Sequence, residues 1–106
     1  MKGRVLIIED RASSRVLLRE RFEQEGIEVI EAESGESGLR KALRVIPQVI
    51  LLSTSLPAVS GLEIARRLRD INRTKHVFLM MIGDEDNREE RLAALDAGAN
   101  DFLTSP

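Results

Sequence analysis

The chain has 106 residues, of which 42% are hydrophobic and 32% charged, a balance typical of one folded domain. With 16 basic and 18 acidic residues, its net charge of −2 gives no general attraction for nucleic acid or anionic membranes. The lack of cysteine excludes thiol chemistry, and the single His76 argues against a histidine metal site. No apolar run approaches the ~20 residues of a membrane span, and charges interrupt the N-terminus, so we expect a cytoplasmic protein.

Five short segments have the character of β-strands. Most are apolar runs bounded by charged or turn residues, which suits strands buried in a parallel sheet. The predicted strands are 5–8, 27–30, 49–52, 77–82 and a short one at Phe102 and Leu103. We place the most apolar run, 49–52, at the centre of the sheet and the more alternating run, 27–30, at an edge.

Four helices are predicted between these strands, because apolar residues recur there at intervals of three and four. They cover 12–24, 35–45, 61–71 and 86–97. The second helix is predicted to include Ile46 in its buried stripe and to stop at Pro47. The fourth is predicted to begin with a capping box of Asp86 and Glu89.

The order of elements, (βα)₄β, predicts a doubly wound α/β fold. Crossovers of this length imply right-handed parallel connections, with helices on both faces of a five-stranded sheet. One domain, residues 1–106, accounts for the whole sequence. The chain stops where a fifth helix would begin, so we expect that helix to be absent or truncated.

The carboxyl ends of the predicted strands carry the candidate site, because ligands of open parallel sheets gather at that edge. Glu9 and Asp10 follow the first strand, Ser53 the third and Gly83 the fourth. Two adjacent carboxylates can hold Mg²⁺, and the alternative is an acidic loop that caps the first helix. Ser53 has no histidine placed to activate it, which favours a locally hydrogen-bonded serine over a nucleophile.

Four motifs cover essentially the whole chain. They are 4–10 (RVLIIED), 47–53 (PQVILLS), 56–63 (LPAVSGLE) and 92–106 (LAALDAGANDFLTSP). In order and spacing they resemble the motifs of the response-regulator receiver domain of two-component signalling. The resemblance implies a flavodoxin-like parallel sheet in the strand order 2-1-3-4-5.

Three positions depart from what the resemblance implies. A third-strand carboxylate of the family attacks a phosphohistidine to form an acyl phosphate, and here that position is Ser53. Gly83 stands where a hydroxyl normally contacts the phosphoryl oxygens, and Ser105 stands where a lysine normally pairs with them. We therefore predict a degenerate phosphoacceptor site.

Other positions keep residues that match the family. Glu9 and Asp10 match metal ligands, but without a third carboxylate the resemblance implies only vestigial Mg²⁺ binding, weak or absent. Phe102 matches the switch aromatic. The resemblance also implies a cis bond between Ser105 and Pro106, an otherwise minor state of X–Pro bonds.

The resemblance implies a signalling role without enzymatic activity. Receivers commonly act through the fourth helix, fifth strand and fifth helix, so we expect protein partners: a neighbouring receiver, an output domain or a second copy. Arg88, Glu89, Glu90 and Arg91 are candidates for ion pairs between subunits. We expect no direct contact with nucleic acid or membranes.

Segments 3–10, 72–74 and 100–103 are similar to the second, degenerate receiver of PleD-like diguanylate cyclases, an adaptor for dimerisation. Two alternatives stay open. One is a receiver phosphorylated, with Mg²⁺, at a non-standard carboxylate, Asp10 or Glu9. The other is a small flavodoxin-like binder of an anion or nucleotide that uses Ser13, Ser14 and Ser53, although no glycine-rich phosphate loop is present.

Overall fold

The computed structural model describes residues 3–84 and 87–104, in which strands and helices alternate as predicted. The strands are β1 (Arg4–Ile8), β2 (Glu28–Ala32), β3 (Val49–Ser53), β4 (Phe78–Gly83) and β5 (Asp101–Thr104). The helices are α1 (Ala12–Gln24), α2 (Gly35–Val45), α3 (Gly61–Asp70) and α4 (Arg88–Asp96). The order (βα)₄β is confirmed.

The strands form one parallel sheet in the order β2-β1-β3-β4-β5, which confirms the predicted topology. The most apolar strand, β3, lies at the centre, and β2 lies at an edge. Ile8 of β1 pairs with Leu52 of β3, and Leu52 pairs with Met81 of β4. The carboxyl ends of these three strands therefore reach the same edge of the sheet.

Helices cover both faces of the sheet. On one face, α2, α3 and α4 pack over the larger apolar cluster, which includes Ile8, Leu52 and Phe102. On the other face, Leu18 and Phe22 of α1 pack over a smaller cluster. Successive residues of β1 and β3 are buried because each face of these strands is covered, which explains why they read as unbroken apolar runs.

The face that carries α1 is only partly covered. Leu17 of α1 is 65% exposed, and Phe78 of β4 and Leu103 of β5 are 43% and 49% exposed. A mainly apolar groove lies beside α1 and is lined by Leu17, Ile82 and Leu103, among others. No fifth helix covers it in the part of the chain that the structure describes. Within that part, none of the helices combines the length and apolarity required to cross a membrane.

The predicted bounds are confirmed for α1 and α2, whereas the predicted start of α4 was wrong. The fourth helix begins at Arg88, and its N-cap is Asn87, whose side-chain oxygen accepts from the backbone N–H groups of Glu89 at 2.8 Å and Glu90 at 3.2 Å. An asparagine one residue later performs the capping predicted for Asp86. Asp86 itself lies outside the described residues.

Ile46 does not belong to the buried stripe of α2. Its backbone adopts a left-handed conformation with φ of 45°, and the residue is 39% exposed. The proline at position 47 disfavours helical geometry in the residue before it, so the chain leaves the helix at Ile46 and the side chain turns outward.

Arg69 of α3 joins the loop before β4 to the loop after α4. Its guanidinium donates to the carbonyl of Gly98 and to the side-chain oxygen of Asn100, both at 2.8 Å. The same Asn100 oxygen accepts from the backbone N–H of Leu79 at 2.8 Å. Burial lowers the pKa of Arg69 from its ordinary value. These contacts fix the start of β5 beside β4 and so help to place Phe102.

Candidate functional site

The predicted site residues Glu9, Ser53 and Gly83 lie at the same edge of the sheet. Each follows or ends one of three adjacent strands, and the register of those strands brings their ends level. Glu9 is 4% exposed and Ser53 is 5% exposed, although both are polar. Thr54 continues the pairing beyond β3, because its N–H donates to the carbonyl of Ile82 at 3.0 Å.

The Ser53 hydroxyl makes a local contact. It donates to the carbonyl of Ser55 at 3.4 Å, two residues along the chain. Ser13 is exposed on α1, and Ser14 lines the apolar groove beside that helix. Burial among apolar strands and a carbonyl partner do not activate a hydroxyl, since a nucleophilic serine needs a base to take its proton.

The third helix begins unusually close to this edge. The N–H of Gly61 donates to the carbonyl of Thr54 at 3.1 Å, and the Ser60 side chain caps α3 by accepting from the N–H of Glu63 at 3.3 Å. A Cβ on Gly61 would collide with the carbonyl oxygen of Ser53 and lie 2.9 Å from its carbonyl carbon. The glycine of the 56–63 motif is therefore required by the close approach of two backbones.

Arg11 places a cation between the carboxylates of Glu9 and Asp84. Its Nη2 lies 3.0 Å from Oε1 of Glu9 and 2.9 Å from Oδ1 of Asp84 in the loop after β4. The second oxygen of Glu9 accepts from the backbone N–H of Arg11 at 3.3 Å. Hydrogen bonds to Glu9 and then to Asp84 raise the pKa of the Arg11 guanidinium.

Sequence reasoning missed Arg11, although an arginine directly after an acidic pair was a visible signal. The two carboxylates of that pair have different surroundings, because Glu9 is buried against Arg11 whereas Asp10 is exposed. Neither of them caps α1: the N-cap residue is Arg11, and its side chain makes no capping hydrogen bond. The alternative role of the acidic loop as a cap is therefore wrong.

Gly83 ends β4 beneath two side chains from other elements. A Cβ on this residue would collide with Oε1 of Glu90 and lie 2.6 Å from Cζ of Phe102. The hydroxyl of Thr54 donates to the same Glu90 oxygen at 2.6 Å. The volume that a larger residue would fill at position 83 is thus taken by the Glu90 carboxylate and the Phe102 ring.

Phe102, the predicted switch aromatic, is 2% exposed, and the guanidinium carbon of Arg91 lies 5.4 Å from its ring centroid. Of the four residues predicted to reach across a subunit interface, Arg88 and Glu89 are exposed. Glu90 and Arg91 instead contact Thr54 and Phe102 of their own chain. Ion pairs between subunits therefore stay a prediction, and within the single chain the Glu90 carboxylate lies inward over Gly83.

Within residues 3–84 and 87–104, no group of three or more His, Cys, Asp or Glu side chains comes together in a way that could hold a metal ion. The predicted phosphate-contact position Ser105 and the predicted cis bond to Pro106 lie outside the described residues.

The all-parallel sheet in the order 2-1-3-4-5 is the flavodoxin-like α/β fold, and its first strand leads into the buried Glu9. The pattern of the response regulator receiver domain matches residues 5–106. The chain belongs to that family.

Several regulators of known sequence are similar over nearly the whole chain. The response regulator PleD of Caulobacter vibrioides is 35% identical over 106 residues, which cover 100% of this chain and 23% of PleD. KdpE of Escherichia coli is 36% identical over 102 residues, which cover 96% of this chain and 44% of KdpE. PhoP of Bacillus subtilis is 33% identical over 107 residues, covering 100% of this chain and 43% of PhoP. The chain thus spans less than half of each of these relatives.

Solved structures agree with the fold. A response regulator from Chloroflexus aurantiacus is 27% identical and superposes with a TM-score of 0.96, covering 100% of this chain and 87% of its own. The chemotaxis response regulator CheY4 of Vibrio cholerae is 25% identical and superposes with a TM-score of 0.95, covering 100% of this chain and 88% of CheY4.

Proposed function

We propose that residues 1–106 form one receiver module of a larger response regulator, and that this module acts by protein contacts without taking up a phosphoryl group. The observation that carries the proposal is the residue at the end of β3. Ser53 is buried there, and its hydroxyl donates to a backbone carbonyl. An acyl phosphate requires a carboxylate, whereas a serine without a base is a poor nucleophile.

The groups that would stabilise a bound phosphoryl group are also replaced. Gly83 has no hydroxyl, and the neighbouring space holds the Glu90 carboxylate, which repels an anion. Ser105 has no positive charge to offer. These changes support the same conclusion independently of Ser53, because each removes a different contact with phosphate.

The residues present do not fit the Mg²⁺ ion that the fold family implies. Mg²⁺ requires hard oxygen ligands in near-octahedral geometry. Both carboxylate oxygens of Glu9 interact with Arg11, and the third ligand position is the neutral Ser53. Of the acidic pair, only Asp10 remains exposed. We propose that Mg²⁺ binding is weak or absent.

The contact surface that we propose lies on α4 and β5. Leu92 and Leu95 of α4 are 53% and 44% exposed, and Arg88 and Glu89 are exposed beside them. Isolated surface leucines are common, but two on one helix next to a charged turn suit a contact with a second receiver or an output domain. We propose a cytoplasmic adaptor that contacts neither nucleic acid nor membrane directly.

The parent protein that we propose is a PleD-like regulator with a diguanylate cyclase output. The similarity to PleD extends over the whole chain, and three short segments resemble the second receiver of such proteins. KdpE and PhoP are about equally similar in sequence, so the similarity alone does not choose the output domain. The sequence that follows position 106 in the parent gene tests this point, and a DNA-binding domain there would contradict the proposal.

Incubation with acetyl phosphate and Mg²⁺, followed by intact mass spectrometry, tests the central claim. We expect no mass increase, while a phosphorylatable receiver run in parallel gains one phosphoryl group. A stable adduct that hydroxylamine removes would contradict the proposal, because hydroxylamine cleaves acyl phosphates but leaves serine phosphate intact.

One alternative is kept because of a specific observation: Asp10 is exposed beside the site, whereas Glu9 is not. If a carboxylate of this chain accepts phosphate, Asp10 is therefore the residue to expect. Peptide mapping of any adduct distinguishes phosphorylation of Asp10 from phosphorylation of Glu9. The matched variant is Asp10→Asn, which should abolish an adduct on Asp10. The family match favours either receiver role over a flavodoxin-like anion or nucleotide binder.

A further inference from the structure

We propose that the hydrogen bond between Thr54 and Glu90 is a latch that holds α4 against the end of β3 without any bound ligand. The inference deepens the proposed function and rests on it. A receiver that takes up no phosphoryl group needs another means of fixing the surface that it presents.

The latch joins two elements that are distant in sequence. Thr54 follows β3, and its Oγ1 donates to Oε1 of Glu90, in the first turn of α4, across a separation of 36 residues. The donor–acceptor distance is 2.6 Å, and Thr54 is 9% exposed. Hydroxyl-to-carboxylate bonds of this length are among the stronger hydrogen bonds in proteins, particularly where water is excluded.

Gly83 makes the latch sterically possible. Its missing side chain leaves room for the Glu90 carboxylate, and a Cβ there would collide with that carboxylate and approach the Phe102 ring to 2.6 Å. The absence of a side chain at Gly83 in β4 therefore matches the space that the Glu90 side chain of α4 needs. The carboxylate that occupies this space accepts its hydrogen bond from Thr54, which directly follows β3.

The neighbouring contacts extend the effect of the latch to the surface. Arg91, the next residue of α4, lies over the ring of Phe102 in β5, and Asn87 caps the helix just before it. The first turn of α4 is thus fixed to β3 through Glu90 and to β5 through Arg91. The exposed Leu92 and Leu95 follow on the same helix, so the latch fixes their position relative to β5.

Hydrogen exchange of the α4 amides in the full-length protein tests the latch, in buffer without Mg²⁺ or a phosphate donor. Thr54→Val and Glu90→Ala should each increase exchange in residues 88–96 by at least about fivefold relative to strand 49–53, because each breaks a charge-assisted bond. Glu90→Gln keeps an acceptor and should remain within about twofold of the parent. The double variant should exceed the larger single effect by less than about twofold.

The matched control is Glu89→Ala, which removes an exposed carboxylate from the same helical turn and should change exchange by less than about twofold, because an exposed charge interacts only weakly with the helix N-terminus. Gly83→Ser is a second, independent disruption, since its side chain displaces Glu90, and it should accelerate exchange in the same segment. Strictly additive effects of Thr54→Val and Glu90→Ala, or unchanged exchange in both, would overturn the latch.

Failure of the latch is distinguishable from failure of the proposed function. The exchange measurement contains no phosphate donor, so its outcome does not depend on whether a phosphoryl group can be taken up. Acceleration by Glu89→Ala equal to that by Glu90→Ala would show a general loss of helix stability and would also overturn the latch.

Discussion

The guanidinium of Arg11 lies 2.9 Å from the carboxylate of Asp84 and joins the end of β1 to the loop that follows β4. The same nitrogen contacts the buried carboxylate of Glu9 at 3.0 Å. A cation that belongs to the chain thus balances the acidic edge of the sheet. This arrangement explains why the Glu9 carboxylate is tolerated in a buried position, because Arg11 supplies its counter-charge.

Replacement of Arg11 by alanine should destabilise the fold through Glu9. The Glu9 side chain is only 6% exposed, so its carboxylate would be left buried without its partner, whereas Arg11 itself is 45% exposed. We expect a loss of about 1 kcal/mol in the free energy of unfolding, since the exposure of Arg11 weakens the pair. Urea unfolding measures this loss, and the exposed Arg73→Ala is the control.

In a Glu9→Gln background, Arg11→Ala should lower the free energy of unfolding by less than half as much, because a neutral amide needs no counter-charge. This double-mutant cycle separates the pair from the packing of the arginine stem. An equal cost of Arg11→Ala in both backgrounds would show that the ion pair with Glu9 contributes nothing.

A carboxylate at position 53 should restore metal binding only in part. We expect millimolar Mg²⁺ to leave the Tm of the parent unchanged and to raise that of Ser53→Asp slightly. In Ser53→Asp combined with Arg11→Ala, both carboxylates are free to bind, and affinity should be about tenfold higher, equivalent to about 1.4 kcal/mol. Ionic strength is matched with potassium chloride. Equal affinities of the single and double variants would show that Arg11 does not compete with the metal.

Gly61→Ala should be among the most destabilising small substitutions in the chain. Its Cβ meets the backbone carbonyl of Ser53, which cannot move without shifting the end of β3. We expect a loss of about 2–3 kcal/mol in the free energy of unfolding, measured by urea denaturation. Gly3→Ala is the matched control, because its Cβ meets only the flexible side chain of Gln48 and should cost under about 0.5 kcal/mol. Similar costs at both positions would contradict this interpretation.

Self-association of the full-length protein should depend on the leucines of α4. We expect Leu92→Glu and Leu95→Glu each to weaken dimers at least tenfold in light scattering, because a buried charge opposes the contact. Leu17→Glu is the control, since Leu17 is 65% exposed but lies on the other face of the sheet. Dissociation by Leu17→Glu but not by the α4 variants would contradict this prediction and would indicate that the dimer contact lies at the groove beside α1.

The topology and most element positions were predictable from the sequence because each depends on local patterns. The unbroken apolar runs of β1 and β3 reflect burial on both faces, and the spacing of apolar residues in α2 and α3 reflects one-sided packing. The position of Ser53 at the end of β3 was predictable for the same reason. The second strand was predicted at 27–30 but spans Glu28–Ala32, because its pairing with β1 continues to Ala32.

The sequence by itself determined the receiver fold and the lack of a carboxylate at Ser53, because strand ends and motifs are read directly from residue order. Only the tertiary structure decided that Arg11 bridges Glu9 and Asp84 and that Glu90 turns inward to Thr54 over Gly83. These contacts join residues far apart in the chain, and their formation depends on which side chains find space once the sheet and helices have packed. No local periodicity carries that information.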